Sequence, residues 1–425
     1  MIFSIFVWFF SLFSNKDIKY VEFNINCPLD SNFCFIPAYF GSNIESFLIQ
    51  LDTTTSYTWI PSPKFNFNVP KYNFSNSIKG KTTNKTIEID NGGGVIYGKL
   101  SFDSLNIGNI TLENFSFVLA YDYDDFNNYP NGKLGLGFAH DEKDNFNLIK
   151  KLKENNLINK EIFVIDRISK KLIIGKIPDY LKETPKTTFS LYSGNSLDEK
   201  FRHSWSCELH KIFCGIYETN LISISFNQNG DVILTAENSI DYDLSKDANS
   251  PAIFDTTYPY LLFPKKYLNY VKGNIILKFL EGLCEEKRDD DYIYFICDKK
   301  NINTDKNYLS FFIDKNMFFL EGADIFKQME NGKYELLIRF PKNRYINTFI
   351  FGSPFLNKWI IAYDFEEKEI SFYGENMVNL SWSYRKFKFF EYIMQVVLTI
   401  IELVLIFGIF AIIILSIRDG CCKKK

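Results

Sequence analysis

The chain builds one short device twice. An apolar strand runs into Asp-Thr-Thr at Ile49-Gln50-Leu51-Asp52-Thr53-Thr54, and again at Ala252-Ile253-Phe254-Asp255-Thr256-Thr257. A carboxylate carried on a tight turn after a buried strand, delivered by both halves, brings two carboxylates together across a two-fold axis. Two such groups at hydrogen-bonding distance do not both ionise, so one keeps a proton and the pair can act as base and acid on a shared water.

The tripeptide alone is a weak signal, and its surroundings carry the argument. In each half a second apolar strand ends in glycine, at Lys133-Leu134-Gly135 and at Ile350-Phe351-Gly352. Glycine there permits close backbone approach behind the Asp-bearing turn. Order and pattern therefore read as an internal duplication, with the polar stretch Ser190 to Lys200 as its boundary.

Short alternating runs punctuated by Pro, Gly and Asn predict strands through most of the chain. These include Val95 to Leu100, Ile110 to Leu112, Phe115 to Ala120, Ile162 to Ile165, Leu172 to Gly175, Trp205 to Ile212 and Leu221 to Phe226. Helical spacing is confined to Leu148–Leu157 and the stretch from Pro264 to Val271. Asn91-Gly92-Gly93-Gly94 forms the tip of a β-hairpin. A phosphate-cradling loop is disfavoured there, because a strand and not a helix follows the glycines.

The 425 residues suffice for two packed lobes, and 46% hydrophobic content is ample for their cores. Net charge is −3 with the two signs interspersed, so no surface for nucleic acid is expected. Met1 to Ser14 is an apolar run too short to span a bilayer and reads as a signal peptide. Tyr392 to Ile417 is long enough for one membrane helix, although Glu402 interrupts it and suggests a partner helix or a protonated carboxyl. The basic tail after it favours the cytosolic side.

Of the eight cysteines, Cys27 and Cys34, Cys207 and Cys214, and Cys284 and Cys297 fall in close pairs. These are candidate disulfides of an oxidising compartment. Cys421 and Cys422, just past the membrane helix, are candidate palmitoylation sites. With three His in the chain and no Cys-x-x-Cys spacing, neither a metal nor another cofactor is expected. The Asn-x-Ser/Thr sequons at Asn73, Asn84, Asn109, Asn114 and Asn379 suit a lumenal domain.

From about Tyr39 to Asn376 the sequence resembles the pepsin-like (A1) aspartic endopeptidases. Gly41-Ser42-Asn43-Ile44-Glu45-Ser46-Phe47 is similar to that family's Gly-Thr-Pro-x-Gln-x-Phe lead-in. Trp59-Ile60-Pro61-Ser62 matches its Trp-Val-Pro-Ser, and Gly132-Lys133-Leu134-Gly135-Leu136-Gly137 its Gly-Ile-Leu-Gly-Leu-Gly. Phe351-Gly352-Ser353-Pro354-Phe355-Leu356 resembles its Leu-Gly-Asp-x-Phe-Leu.

The resemblance implies an all-β, bilobal fold with a central cleft, followed by one C-terminal transmembrane helix. The expected order is signal peptide 1–14, N-terminal lobe 18–195, C-terminal lobe 196–377, stalk 378–391, membrane helix 392–417 and cytosolic tail 418–425. Asp52 and Asp255 would be the catalytic pair. Thr53 and Thr256 would lock the two loops together, with Thr54, Thr55 and Thr257 supporting them. The hairpin tip Asn91 to Gly94 would be the flap over the cleft. Function is then that of a single-pass, type I, monomeric aspartic endopeptidase, with its peptide or protein substrate in a secretory, vacuolar or extracellular space. The alternative is a pseudoprotease that binds peptides by strand addition.

The departures from the family pattern set further expectations. Thr54 and Thr257 stand where the family has glycine, and a branched Cβ at positive φ would displace the carboxylates. Tyr258 and Pro259 replace small hydroxylic residues, removing one outer hydrogen bond to Asp255. Asn91 aligns with the family's flap tyrosine, for which Tyr97 is the nearest replacement. Lys133 occupies a normally buried aliphatic position.

Overall fold

The computed structural model describes residues 19–28, 33–42, 46–90, 94–124, 131–138, 146–193, 197, 201, 204–217, 223–226, 232–235, 240–242, 250–277, 280–305, 307–313, 316–342, 346–374 and 377–379. The segments read as signal peptide, membrane helix and tail lie outside these residues, as does the stalk beyond Asn379. So do the sites Asn91, Gly92, Gly93, Cys421 and Cys422. By compactness the chain divides into residues 1–314 with 318–377, and 315–317 with 378–425. Everything below concerns the first unit. Among the described residues no helix is long and apolar enough to cross a membrane.

The fold is mostly β, with few and short helices, consistent with the β-rich bilobal fold that the resemblance implies. One sheet runs in the order Phe35–Phe40, Phe47–Asp52, Lys133–Gly135, Trp59–Pro61, Ile110–Asp124, Val95–Ile107, Lys81–Asp90. A second contains, in order, Cys284–Arg288, Tyr292–Cys297, Tyr334–Pro341, Leu261–Leu262, Phe349–Phe351, Ser250–Phe254, Ser206–Tyr217 and Asn307–Ile313. A third takes strands from both halves, Val21–Asn24, Lys171–Ile174, Ile162–Asp166, Ile360–Asp364, Glu369–Tyr373 and Lys186–Ser190. At its centre Ile162–Asp166 pairs antiparallel with Ile360–Asp364, so the halves share hydrogen bonds as well as an apolar boundary.

Period-two burial explains the long strands. Along Val95–Ile107, Ser101, Asp103, Leu105 and Ile107 are buried while Phe102, Ser104 and Asn106 between them are half-buried, the alternation of a sheet with one face on the core. The break expected between Leu112 and Phe115 is absent, and one strand spans Ile110–Asp124. The chain absorbs the polar Glu113-Asn114 step by putting Asn114 at φ 53°, where the ladder shifts register between Asp103 and Leu105 on the facing strand. This is a bulge and not a turn.

The helix expected from Leu148 runs as Leu148–Glu154, with Leu148, Ile149 and Leu152 buried. It starts at Asn147, whose side chain accepts from the Ile149 N–H, the ordinary Asx cap. The stretch after Pro264 is a 3-10 turn at Lys265–Tyr267 and one α turn at Leu268–Val271, continued as a π-helix to Leu277.

Cys27–Cys34 and Cys284–Cys297 are disulfides, the latter joining residues directly opposite in a hairpin. Cys207 and Cys214 are instead free and buried, which corrects the pairing expected for them. Both lie on the single strand Ser206–Tyr217. Seven residues of extended chain separate them by roughly 20 Å, far beyond the reach of a disulfide. Burial pushes both thiols well above their ordinary pKa, so neither is a reactive thiolate.

Candidate active site

The two Asp-bearing strands are built alike. Phe47–Asp52 pairs in parallel with Lys133–Gly135, setting Asp52 opposite Gly135. Ser250–Phe254 pairs in parallel with Phe349–Phe351, which puts Asp255 level with Gly352. At both glycines a Cβ would collide with backbone of the Asp loop. It would lie 2.5 Å from the Ser56 carbonyl carbon at Gly135, and 2.2 Å from the Tyr258 carbonyl oxygen at Gly352. Glycine is thus required at both places by close approach, as the duplication implied.

The loops are joined by a reciprocal lock. The Thr53 N–H donates to Thr256 Oγ1 at 3.2 Å, and the Thr256 N–H donates to Thr53 Oγ1 at 3.2 Å. Thr53 Oγ1 then donates to the Phe254 carbonyl at 2.7 Å, and Thr256 Oγ1 to the Leu51 carbonyl at 2.8 Å. Each hydroxyl is donor to one strand and acceptor from the other loop, and all four residues are buried. The start of the second half adds to this lock: Ser204 Oγ donates to the Thr54 carbonyl at 3.1 Å, and Trp205 Nε1 to the Leu136 carbonyl at 2.8 Å.

The threonines in the glycine positions do not strain the loops. The described non-glycine residues with positive φ are Asn114, Asn156, Lys170, Glu281 and Lys368, so Thr54 and Thr257 have ordinary φ. The N–H of Thr54 donates to Asp52 Oδ1 at 2.8 Å, and that of Thr257 to Asp255 Oδ1 at 2.7 Å. The hydroxyls reach the same oxygens, at 2.6 Å from Thr54 and 2.7 Å from Thr257. Threonine therefore keeps the backbone donor that glycine would supply and adds a second.

Thr55 is buried and accepts from the Tyr57 N–H at 3.1 Å, while its carbonyl accepts from the Gly137 N–H at 2.8 Å. Tyr258 is turned into an apolar cluster with Phe201, Ile253, Leu262, Ile346 and Ile350, so it gives Asp255 no hydroxyl. Thr257 takes over as the side-chain donor.

Asp52 is fully buried and Asp255 nearly so. Burial, then the negative charge of Asp52, raise the Asp255 pKa to about 6, against the opposing pull of Lys133 and of the Thr257 hydroxyl and N–H. A carboxyl that holds its proton to about pH 6 beside another carboxylate is the asymmetry that acid–base work on water needs.

Sequence reasoning noticed Lys133 as out of place without giving it a role. Its ammonium lies 3.2 Å from Asp52 Oδ2, with both side chains fully buried, and it donates to Thr257 Oγ1 at 3.3 Å. Among the described residues Asp52 Oδ2 accepts no hydrogen bond of good geometry, so the contact is an ion pair and not an aligned bond. Gln50, opposite Lys133 in the ladder, is also buried, and its Nε2 has no acceptor among the described residues. The readable signal was two polar residues, Gln50 and Lys133, inside otherwise apolar strands.

At the hairpin, Asp90 faces Val95 and Glu88 faces Tyr97. Of the predicted flap tip only Gly94 is described, at φ 126°, a conformation that glycine tolerates. Among the described residues no three His, Cys, Asp or Glu converge as they would around a metal ion.

Comparison with known proteins bears on this geometry. The family model for eukaryotic aspartyl proteases matches residues 35–177. The chain is 24% identical to plasmepsin I of Plasmodium falciparum over 355 residues, covering 79% of this chain and 67% of the relative. It is 23% identical to plasmepsin IV of the same organism over 352 residues, covering 78% and 67%. Procardosin-B of Cynara cardunculus is 31% identical over 106 residues, which are 23% of this chain and 21% of the relative.

Proposed function

We infer that this chain, whose residues 35–177 match the family model for eukaryotic aspartyl proteases, is a membrane-anchored aspartic endopeptidase of the pepsin-like kind. The observation that carries the reading is the reciprocal Thr53–Thr256 lock, because it holds two buried Asp loops in mutual register. One carboxylate takes a proton from a water whose oxygen attacks the scissile carbonyl carbon, while the protonated carboxyl donates to the carbonyl oxygen. Collapse of the tetrahedral adduct passes a proton to the leaving nitrogen. The two disulfides and the family favour a secretory or extracellular space for this domain. Residues 392–417 would anchor it there, with lobes divided near residue 195.

A second reading, a pseudoprotease that holds a peptide without cutting it, is favoured by one contact. An ammonium sits against Asp52 Oδ2, on the carboxylate that the reaction would use as its base. Full-length chain in detergent, incubated with a diverse peptide library from about pH 3.5 to 7, separates the two. Cleavage by the parent should fall by a factor of about 100 to 10,000 or more in both Asp52→Asn and Asp255→Asn. Peptide binding without cleavage, unchanged in the two variants, would establish the pseudoprotease.

A further inference from the structure

The two halves agree at the threonine lock and at the clamps on the two carboxylates and disagree directly behind the carboxylates. Two residues before Asp52 and two before Gly135 stand Gln50 and Lys133, paired across the ladder. The corresponding positions of the second half, two before Asp255 and two before Gly352, are Ile253 and Ile350, also paired and packed in one apolar cluster. Strand periodicity puts each pair on the same face as its Asp. The environment of Asp52 thus contains a buried cation and an amide, and that of Asp255 contains aliphatic side chains.

We propose that Lys133 is a positioning residue that breaks the two-fold equivalence of the carboxylates, keeping Asp52 as the standing carboxylate and leaving the shared proton on Asp255. The proposal rests on the endopeptidase reading for its catalytic meaning, and on geometry alone for its charge assignment. Lys133 Nζ lies 3.2 Å from Asp52 Oδ2 and donates to Thr257 Oγ1, which itself donates to Asp255 Oδ1, so the ammonium is placed against the Asp52 carboxylate itself and against the hydroxyl clamp of Asp255. The other titratable groups acting on Asp255 are Tyr258 and Tyr363, both held neutral by burial, and Arg167 acts on Tyr363. None supplies a competing charge at the carboxyl itself.

In the resting state the proton is on Asp255 and Asp52 is the base. On attack, the water O–H bond breaks toward Asp52, the O–C bond forms, and the Asp255 proton passes to the carbonyl oxygen. Charge moves from Asp52 to Asp255 with no external acid or base.

The test is the pH dependence of kcat/KM in the parent and in Lys133→Met. Without the ammonium both carboxyls hold their protons to higher pH, so both limbs of the profile should move upward by about one pH unit or more. Superimposable limbs would overturn the proposal. A readout free of catalysis accompanies it: urea stability against pH for Asp255→Asn, which retains Lys133, and for Lys133→Met/Asp52→Asn/Asp255→Asn, which lacks the ammonium together with both carboxylates. If Lys133 holds Asp52 ionised, the difference between these two chains is flat from about pH 6 to 4. A difference growing as pH falls would mean that Asp52 takes up a proton, and the proposal fails. Absence of cleavage by the parent would remove the endopeptidase reading while leaving this second measurement to decide the charge assignment. Should Lys133→Met not fold, Lys133→Gln is the replacement, with the same expected shift.

Discussion

The first and second Asp loops share one hydrogen-bonding frame and differ in what lies behind it. Thr53 and Thr256 exchange equivalent bonds, and Thr54 and Thr257 clamp their own Asp oxygens through N–H and hydroxyl alike. Behind that frame one half has Gln50 and Lys133 and the other Ile253 and Ile350. The difference teaches that the part of a duplication obliged to stay symmetric is the set of donors meeting across the axis. One layer deeper that symmetry is not required, so a cation whose ammonium also donates across to Thr257 is tolerated provided a carboxylate neutralises it.

The largest expected effect on stability tests that asymmetry. Asp255 keeps its proton to about pH 6 in the fold, against an ordinary value of 3.8. A raised pKa contributes stability that is fully present below the ordinary value and is lost as pH rises through about 6. The loss amounts to about 3 kcal/mol for this fully buried group. Urea unfolding of the parent should show it between about pH 4 and 6, and Asp255→Asn should remove that slope. An equal slope surviving in Asp255→Asn would place the titration elsewhere.

The lock tests the symmetric part. Thr53→Val and Thr256→Val each delete one hydroxyl that both donates and accepts, leaving a buried carbonyl and a buried N–H without their partners. Each should cost about 2 kcal/mol in urea unfolding at fixed pH, and the two costs should agree. A cost confined to one of them would break the equivalence of the halves.

The smallest effect sharpens the boundary between frame and backing. Thr54→Val and Thr257→Val keep the N–H donor to Asp Oδ1 and remove the hydroxyl donor, for about 1 kcal/mol or somewhat more. Thr257 also accepts from Lys133 and Thr54 does not share that contact. Thr257→Val should therefore be the more destabilising of the two, and equality would show that the Lys133 contact contributes nothing measurable.

Local pattern made much of this legible. The glycines at 135 and 352 were readable because a strand passing behind a turn leaves no room for a Cβ, and the close approach of the Ser56 and Tyr258 backbone agrees. The helix start at Leu148 was readable because Asn147 precedes an apolar repeat. The continuous strand Ile110–Asp124 was not, because Asn114 looks like a turn residue and only the facing strand shows that it forms a bulge. Proximity in sequence misled at Cys207 and Cys214, since close spacing brings thiols together in a hairpin, as at Cys284 and Cys297, and holds them apart along one strand.

By itself, the sequence determined where the two carboxylates sit, that each ends an apolar strand, and that a glycine strand runs behind each. Those features follow from period-two patterning and turn chemistry, which act over a few residues. Tertiary structure decided the rest. The φ of Thr54 and Thr257 depends on how the loops meet, and their hydroxyls could act as a second clamp only once that φ was ordinary. The partner of Lys133 depends on where a long, flexible side chain finds a carboxylate that can neutralise it in a buried site. No local rule could supply either, because each is fixed by contacts between strands far apart in the chain.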